Sequence, residues 1–274
     1  IHKQGTPTLL NLWYLFTLDR LAALARAARM PEAERRLRRL HGAQKRLVLA
    51  QLWDPKAEMF RDGLMPSGQP VAQWSIHNQT LAVMCGLRKD AWDTMLARRF
   101  LPYLRGLKTG GAMPSSYWVT YVYDVVTDLG YAADVVRHLR EKFAPMIPYG
   151  GTWETFEYTP GNASTTHAWA AHPIYHLAGT LGGVRQTGPA WSRVRFDPLV
   201  DLPEVDCAET TVPTPHGLIH AAWRRSNDEV AVSLALPKGV AADVALPGAR
   251  QVGVTGQRQW TISTAKSRPA AQRR

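Results

Sequence analysis

The feature that most constrains this chain is a change of hydrophobic period at Gly182-Gly183. Before it, apolar side chains recur at three- and four-residue spacing; after it they alternate in short runs broken by proline and glycine. One element cannot serve both patterns, because side chains return to the same face about every 3.6 residues in a helix and every two in a strand. The sequence therefore predicts two architectures in series, and 274 residues suffice for a core in each.

In the first part, Leu9, Leu12, Trp13 and Phe16 follow a Thr6-Pro7 start, and Leu21, Leu24 and Ala28 continue the stripe. Pro31 opens a second helix whose apolar line runs through Leu37, Leu40, Leu47, Val48 and Leu52. Further helices are expected near 76–85, 90–101, 116–129, 131–143 and 165–181, three of them closed by glycine at Gly86, Gly130 and Gly182-Gly183. They read as antiparallel pairs joined by short turns. In the second part, strand patterns at 192–196, 210–212, 218–223, 230–236, 240–246, 251–254 and 259–264 suggest a small antiparallel β-sandwich. The expected division is 1–186 helical, 187–264 sandwich and 265–274 a disordered basic tail.

Charge offers a competing signal, since 33 Lys and Arg against 22 Asp and Glu leave a formal +11. The excess is local. Residues 1–50 hold ten basic and three acidic groups and residues 251–274 five basic and none acidic, so the body between is nearly neutral. Arg35, Arg36, Arg38 and Arg39 sit among leucines at helical spacing, which reads as a solvated face and not a nucleic-acid footprint. Cys85 and Cys207 are too few for a disulfide framework or zinc cluster. No apolar run approaches a membrane span, and no nucleotide or serine-hydrolase motif occurs, so no membrane, nucleic-acid partner or cofactor is expected. The start, Ile1-His2-Lys3-Gln4, has neither a Met nor an apolar signal core, which reads as a beginning inside a longer protein.

The aromatic choice points to carbohydrate. Ten Trp stand against six Phe, and an indole couples a wide apolar face to one N–H donor, which suits stacking on a sugar ring. Trp53, Trp74 and Trp153 fall in or beside loops, where a site would be built. The densest polar and aromatic stretch is Tyr149 to Tyr158, with Glu154 between Trp153 and Phe156. A carboxylate there is expected to be partly desolvated and tuned for acid or base work, with Glu157 as second candidate. His167, beside Trp169, reads as a hydrogen-bond partner for a sugar hydroxyl. His167, His172 and His176 lack the Glu of a zinc helix, and Pro173 interrupts them, so no metal is expected.

Seven segments in order carry a family resemblance: Thr6–Tyr14, Leu52–Gly63, Ser75–Leu87, Met113–Tyr117, Gly150–Phe156, Thr166–Pro173 and Val212–Trp223. The chain resembles, up to about residue 262, the C-terminal part of the bacterial α-L-rhamnosidases, glycoside hydrolase family 78. The resemblance implies the second half of an (α/α)6 six-hairpin barrel followed by a β-sandwich. It also implies inverting hydrolysis of terminal α-L-rhamnosides, with Glu154 as general base. By the same resemblance His167 lines the sugar pocket and the general acid lies upstream of this chain; Trp53, Trp74, Trp118, Trp153 and Trp169 are the candidate sugar contacts among the tryptophans. A barrel cut near its middle would expose apolar inner faces, and such a fragment is expected to be inactive alone. The alternative is a non-catalytic carbohydrate-binding module derived from such a glycosidase; a helical regulator binding nucleic acid through its Arg-rich helix is the weakest reading.

Overall fold

The computed structural model describes residues 5–157 and 164–263. The basic tail at 265–274, the last residue of the 259–264 strand and the turn at 159–162 lie outside the described residues. The chain divides into two compact units, Ile1–Leu129 with Trp153–Ser164, and Gly130–Thr152 with Thr165–Arg274.

The first unit opens with β1 (Thr6–Pro7), α1 (Thr8–Ala27) and α2 (Pro31–Gln51), the last started by a proline whose missing N–H is no loss in a first turn. The buried stripe of α1 is Thr8, Leu12, Leu15, Leu18, Ala22 and Ala25, displaced from the expected one, and Leu21 and Leu24 face solvent. This helix is apolar nearly all round, so its period alone does not select a face. On α2 only Val48 is buried, while Leu40 and Leu47 stay exposed. Arg35, Arg36, Arg38 and Arg39 are exposed there, and Glu34 accepts from both Arg26 and Arg38 at 2.8 Å.

A short hairpin follows, β2 (Trp53–Asp54) with β3 (Met59–Phe60), and β4 (Gly63–Leu64) pairs back with β1. The next helix, α3 (Ile76–Met84), is buried from Ile76 through Val83. Where one helix is expected over 90–101, three pieces run on to residue 104: α4 (Trp92–Met95), a wide π turn (Leu96–Phe100) and α5 (Leu101–Leu104). Pro102 explains the widening, because it has no N–H for the carbonyl of Arg98. The helical part of this unit ends with α6 (Val119–Asp128), which packs on α3.

In the second unit come α7 (Ala132–Phe143) and α8 (Pro173–Thr180). The helix expected over 165–181 thus begins only at Pro173. Upstream, His167 is extended and gives its N–H to Thr152 O at 2.7 Å, while Thr152 Oγ1 donates to His167 O at 3.0 Å; these bonds hold the backbone out of a helix.

The remaining strands are β5 (Val184–Gln186), β6 (Arg193–Phe196), β7 (Cys207–Thr214), β8 (Gly217–Ser226), β9 (Glu229–Ala235), β10 (Ala241–Leu246), β11 (Ala249–Val254) and β12 (Gln257–Ser263). They form two four-stranded sheets, ordered β11-β10-β6-β5 and β12-β9-β8-β7. Pairing is antiparallel except between β6 and β10, which run parallel because the chain leaves for the other sheet between them. Alternate residues such as Val194, Phe196, Ile219, Ala221, Val232, Leu234, Ala242 and Val244 fill the core. Trp223 joins them, and its Nε1 donates to Leu181 O at 2.7 Å, tying β8 to the end of α8.

The glycine pair at the change of period has a steric reason. Gly183 has φ +72, and a Cβ there would stand 2.3 Å from Pro198 N. Gly183→Ala is expected to destabilise the second unit by about 2–4 kcal/mol. Gly248→Ala, at φ +78 with nothing within 4 Å, should cost only about 1 kcal/mol. Urea unfolding of the two variants measures the difference.

Candidate functional site

The Trp153–Ser164 segment belongs to the first unit although it follows α7 in sequence. One anchor is Ser116, fully buried, whose hydroxyl donates to the carbonyl of Trp153. Trp153 itself turns inward, 6 % exposed. Its neighbour Glu154 turns out. The segment closes on itself there: Glu154 N donates to Ser164 O at 2.9 Å, and Ser164 N donates to Glu154 Oε2 at 3.2 Å. Glu154 is exposed, which corrects the expected partial desolvation; Trp153 shields the interior and not the carboxylate. A carboxylate so placed keeps one oxygen positioned by a backbone N–H and can take a proton from a water. Glu157 is also exposed, and its backbone carbonyl accepts from Thr155 Oγ1 at 2.8 Å.

Four of the tryptophans singled out from sequence belong to the same unit as Glu154, and they differ in setting. Trp118 packs on His77 with ring centroids 4.2 Å apart and on Tyr121 at 5.3 Å. Burial pushes His77 down to about 4, so it meets the indole as a neutral ring. Burial, with Tyr117 as hydrogen-bond partner, raises the Tyr121 phenol to about 12. Trp53 is 8 % exposed, with Phe60 against it at 5.0 Å and the Arg88 guanidinium over its ring at 4.2 Å. Trp74 is half-buried and lines an open groove. In the second unit, His167 and Trp169 stand 5.4 Å apart, His167 half-buried and Trp169 71 % exposed.

Sequence reasoning passed over the groups that set the start of α3. Asp62, wholly buried, accepts at Oδ1 from Ser75 N at 2.7 Å and from Asn78 Nδ2 at 2.8 Å, placing negative charge at a helix N-terminus. Gln79 pairs with the Phe60 backbone in both directions at 2.8 Å, extending the β2–β3 hairpin onto the helix. The signal was present as Arg-Asp-Gly before the helix and His-Asn-Gln within it, polar residues on a helix otherwise apolar. His172 and His176 meet aromatic neighbours edge to face, Phe143 at 5.5 Å and Tyr175 at 4.9 Å, and burial pushes His176 down to about 3. Among the described residues no group of three His, Cys, Asp or Glu is placed to hold a metal, and no helix is long and apolar enough to cross a membrane.

The β part decides the relationship. Residues 183–261 match the bacterial alpha-L-rhamnosidase C-terminal domain. Solved rhamnosidase structures extend the likeness across both parts of the chain. A GH78 family rhamnosidase of Bacillus sp. GL1 superposes with a TM-score of 0.77 at 23 % identity, covering 89 % of this chain and 26 % of that one. An α-L-rhamnosidase from Aspergillus terreus gives 0.74 at 16 %, covering 90 % and 29 %. The Streptomyces avermitilis α-L-rhamnosidase complexed with L-rhamnose gives 0.64 at 18 %, covering 92 % and 26 %. At these identities the structures establish a shared fold, that of the C-terminal region of rhamnosidases. The chain spans about a quarter of the length of those rhamnosidases. No curated protein matches it.

Proposed function

We propose that this chain supplies the general base and part of the sugar pocket of an inverting glycoside hydrolase acting on terminal α-L-rhamnosyl residues. The observation that carries the reading is Glu154: an exposed carboxylate, oriented by the Ser164 N–H, on a rhamnosidase-like fold. In the proposed reaction Glu154 removes a proton from water as that water attacks the anomeric carbon on the face opposite the leaving oxygen. A general acid protonates the leaving oxygen, and water fits when the two carboxyl groups stand roughly 6.5–9.5 Å apart. The acid lies outside this chain. In the unit that holds Glu154, Trp118 offers ring surface to the sugar while Trp53 and Trp153 are buried; His167 and Trp169 are the proposed sugar contacts of the second unit.

A second reading is carbohydrate binding without hydrolysis, favoured by the large exposed face of Trp169 beside His167. An aryl α-L-rhamnoside separates the two. The 274-residue chain alone should bind L-rhamnose without turnover, and a polypeptide extended N-terminally to include the acid should hydrolyse the aryl glycoside. Enzyme-like turnover by the chain alone would place the acid within it, with Glu157 the first group to replace. Binding without turnover in the extended polypeptide would favour the second reading.

A further inference from the structure

A groove of about 650 Å³ in the first unit lies apart from Glu154 in sequence and is lined by Asp54, Lys56, Met59, Trp74, Arg98 and Arg99. Its charge is unbalanced. The Asp54 carboxylate is already engaged: Oδ1 accepts from Lys56 N at 3.0 Å and Ala57 N at 3.2 Å, and Oδ2 stands 3.5 Å from Arg61 Nη2. Among the described residues, none of Lys56, Arg98 and Arg99 makes an ion pair. Arg99 gives Nη1 to the carbonyl of Thr109, while its Nε is buried without an acceptor, as is the Nε1 of Trp74. Burial disfavours the charge on Arg99; the Asp62 carboxylate partly offsets this, and the neighbouring Arg98 adds a smaller unfavourable effect. The positive charge of Lys56 and Arg98, both exposed, is complemented by an anion. The half-buried indole of Trp74 in the same wall adds apolar surface that a bare anion would not use.

We propose that this groove is a subsite for a carboxylated sugar, a hexuronate unit whose ring lies against Trp74 and whose carboxylate meets Lys56, Arg98 and Arg99. The inference rests on the carbohydrate reading above and adds to it a preference for acidic glycans. A neutral sugar would leave Lys56 and Arg98 without a counter-charge, and a phosphate ion would leave Trp74 uncovered.

Calorimetric titration of the 274-residue chain with cellobiouronate, cellobiose and inorganic phosphate tests it. Cellobiouronate should bind at least about tenfold more tightly than cellobiose and than phosphate. The double variant Lys56→Gln/Arg98→Gln, both exposed positions, should lose that advantage roughly tenfold or more, with cellobiose affinity and melting temperature unchanged. Trp74→Leu should weaken both disaccharides. Equal binding of the two disaccharides, phosphate binding as tight as cellobiouronate, an indifferent double variant, or no measurable cellobiouronate binding would overturn the proposal. None of these readings involves Glu154 or rhamnose. A failure of the rhamnoside assay therefore leaves the subsite standing, and absence of a uronate preference leaves the rhamnoside reading standing.

Discussion

Glu154→Gln is expected to lower kcat on an aryl α-L-rhamnoside by about 10³-fold in the N-terminally extended polypeptide, with KM little changed. Glutamine has the size of glutamate and retains an oxygen to accept the Ser164 N–H, so the segment stays closed. It cannot take a proton from water. The loss therefore falls on the chemical step and not on binding or folding, which a matched melting temperature would establish. Azide gives a second reading. It attacks the anomeric carbon without needing a base, the general acid still protonates the leaving oxygen, and the rate of the variant should recover while wild type barely responds. Glu157→Gln, by contrast, should leave kcat within a few-fold of wild type. Near-wild-type turnover by Glu154→Gln would remove Glu154 from the role.

Acid should unfold this chain earlier than its carboxylates alone would. Burial pushes His77 and His138 down to about 4 and His176 to about 3. In the unfolded chain each returns to about 6.5. Between those values the unfolded state binds more protons than the folded one, so stability is fully present at neutral pH and is lost as pH falls through 6.5 toward 4. By pH 5 the loss is about 2 kcal/mol for each histidine. His77 burdens the first unit, and His138 and His176 the second. Urea unfolding at pH 7 and pH 5 should show the decline, and His138→Leu should flatten the profile of the second unit. Equal or greater stability at pH 5 would contradict the buried, neutral state of these rings.

The sandwich was legible because its strands are buried on one face: along β10 every second residue, Ala242, Val244 and Leu246, enters the core. Gly183 was legible as a boundary, though the clash with Pro198 that requires it was not, since it depends on residues that meet only in the fold. The face of α1 was not legible. Leucines on several sides of a helix leave the choice to its neighbours, and the structure buries Leu15 and Leu18 while Leu21 and Leu24 stay out. At the candidate site, the position of Glu154 in a loop after Gly150-Gly151 could be read from local sequence. Its exposure could not, because it follows from Trp153 turning inward and from a hydrogen bond to Ser164, ten residues away. Asp62, Asn78 and Gln79 escaped notice for the same reason: each is explained by a backbone group it meets across a hairpin.

The most direct test of the central claim is the anomeric configuration of the first sugar released. Proton NMR of the extended polypeptide acting on an aryl α-L-rhamnoside should show β-L-rhamnose appearing first, with the α-anomer growing in by mutarotation. Initial release of α-L-rhamnose, or release of no rhamnose at all, would contradict the account in which Glu154 activates water on the far face of the sugar.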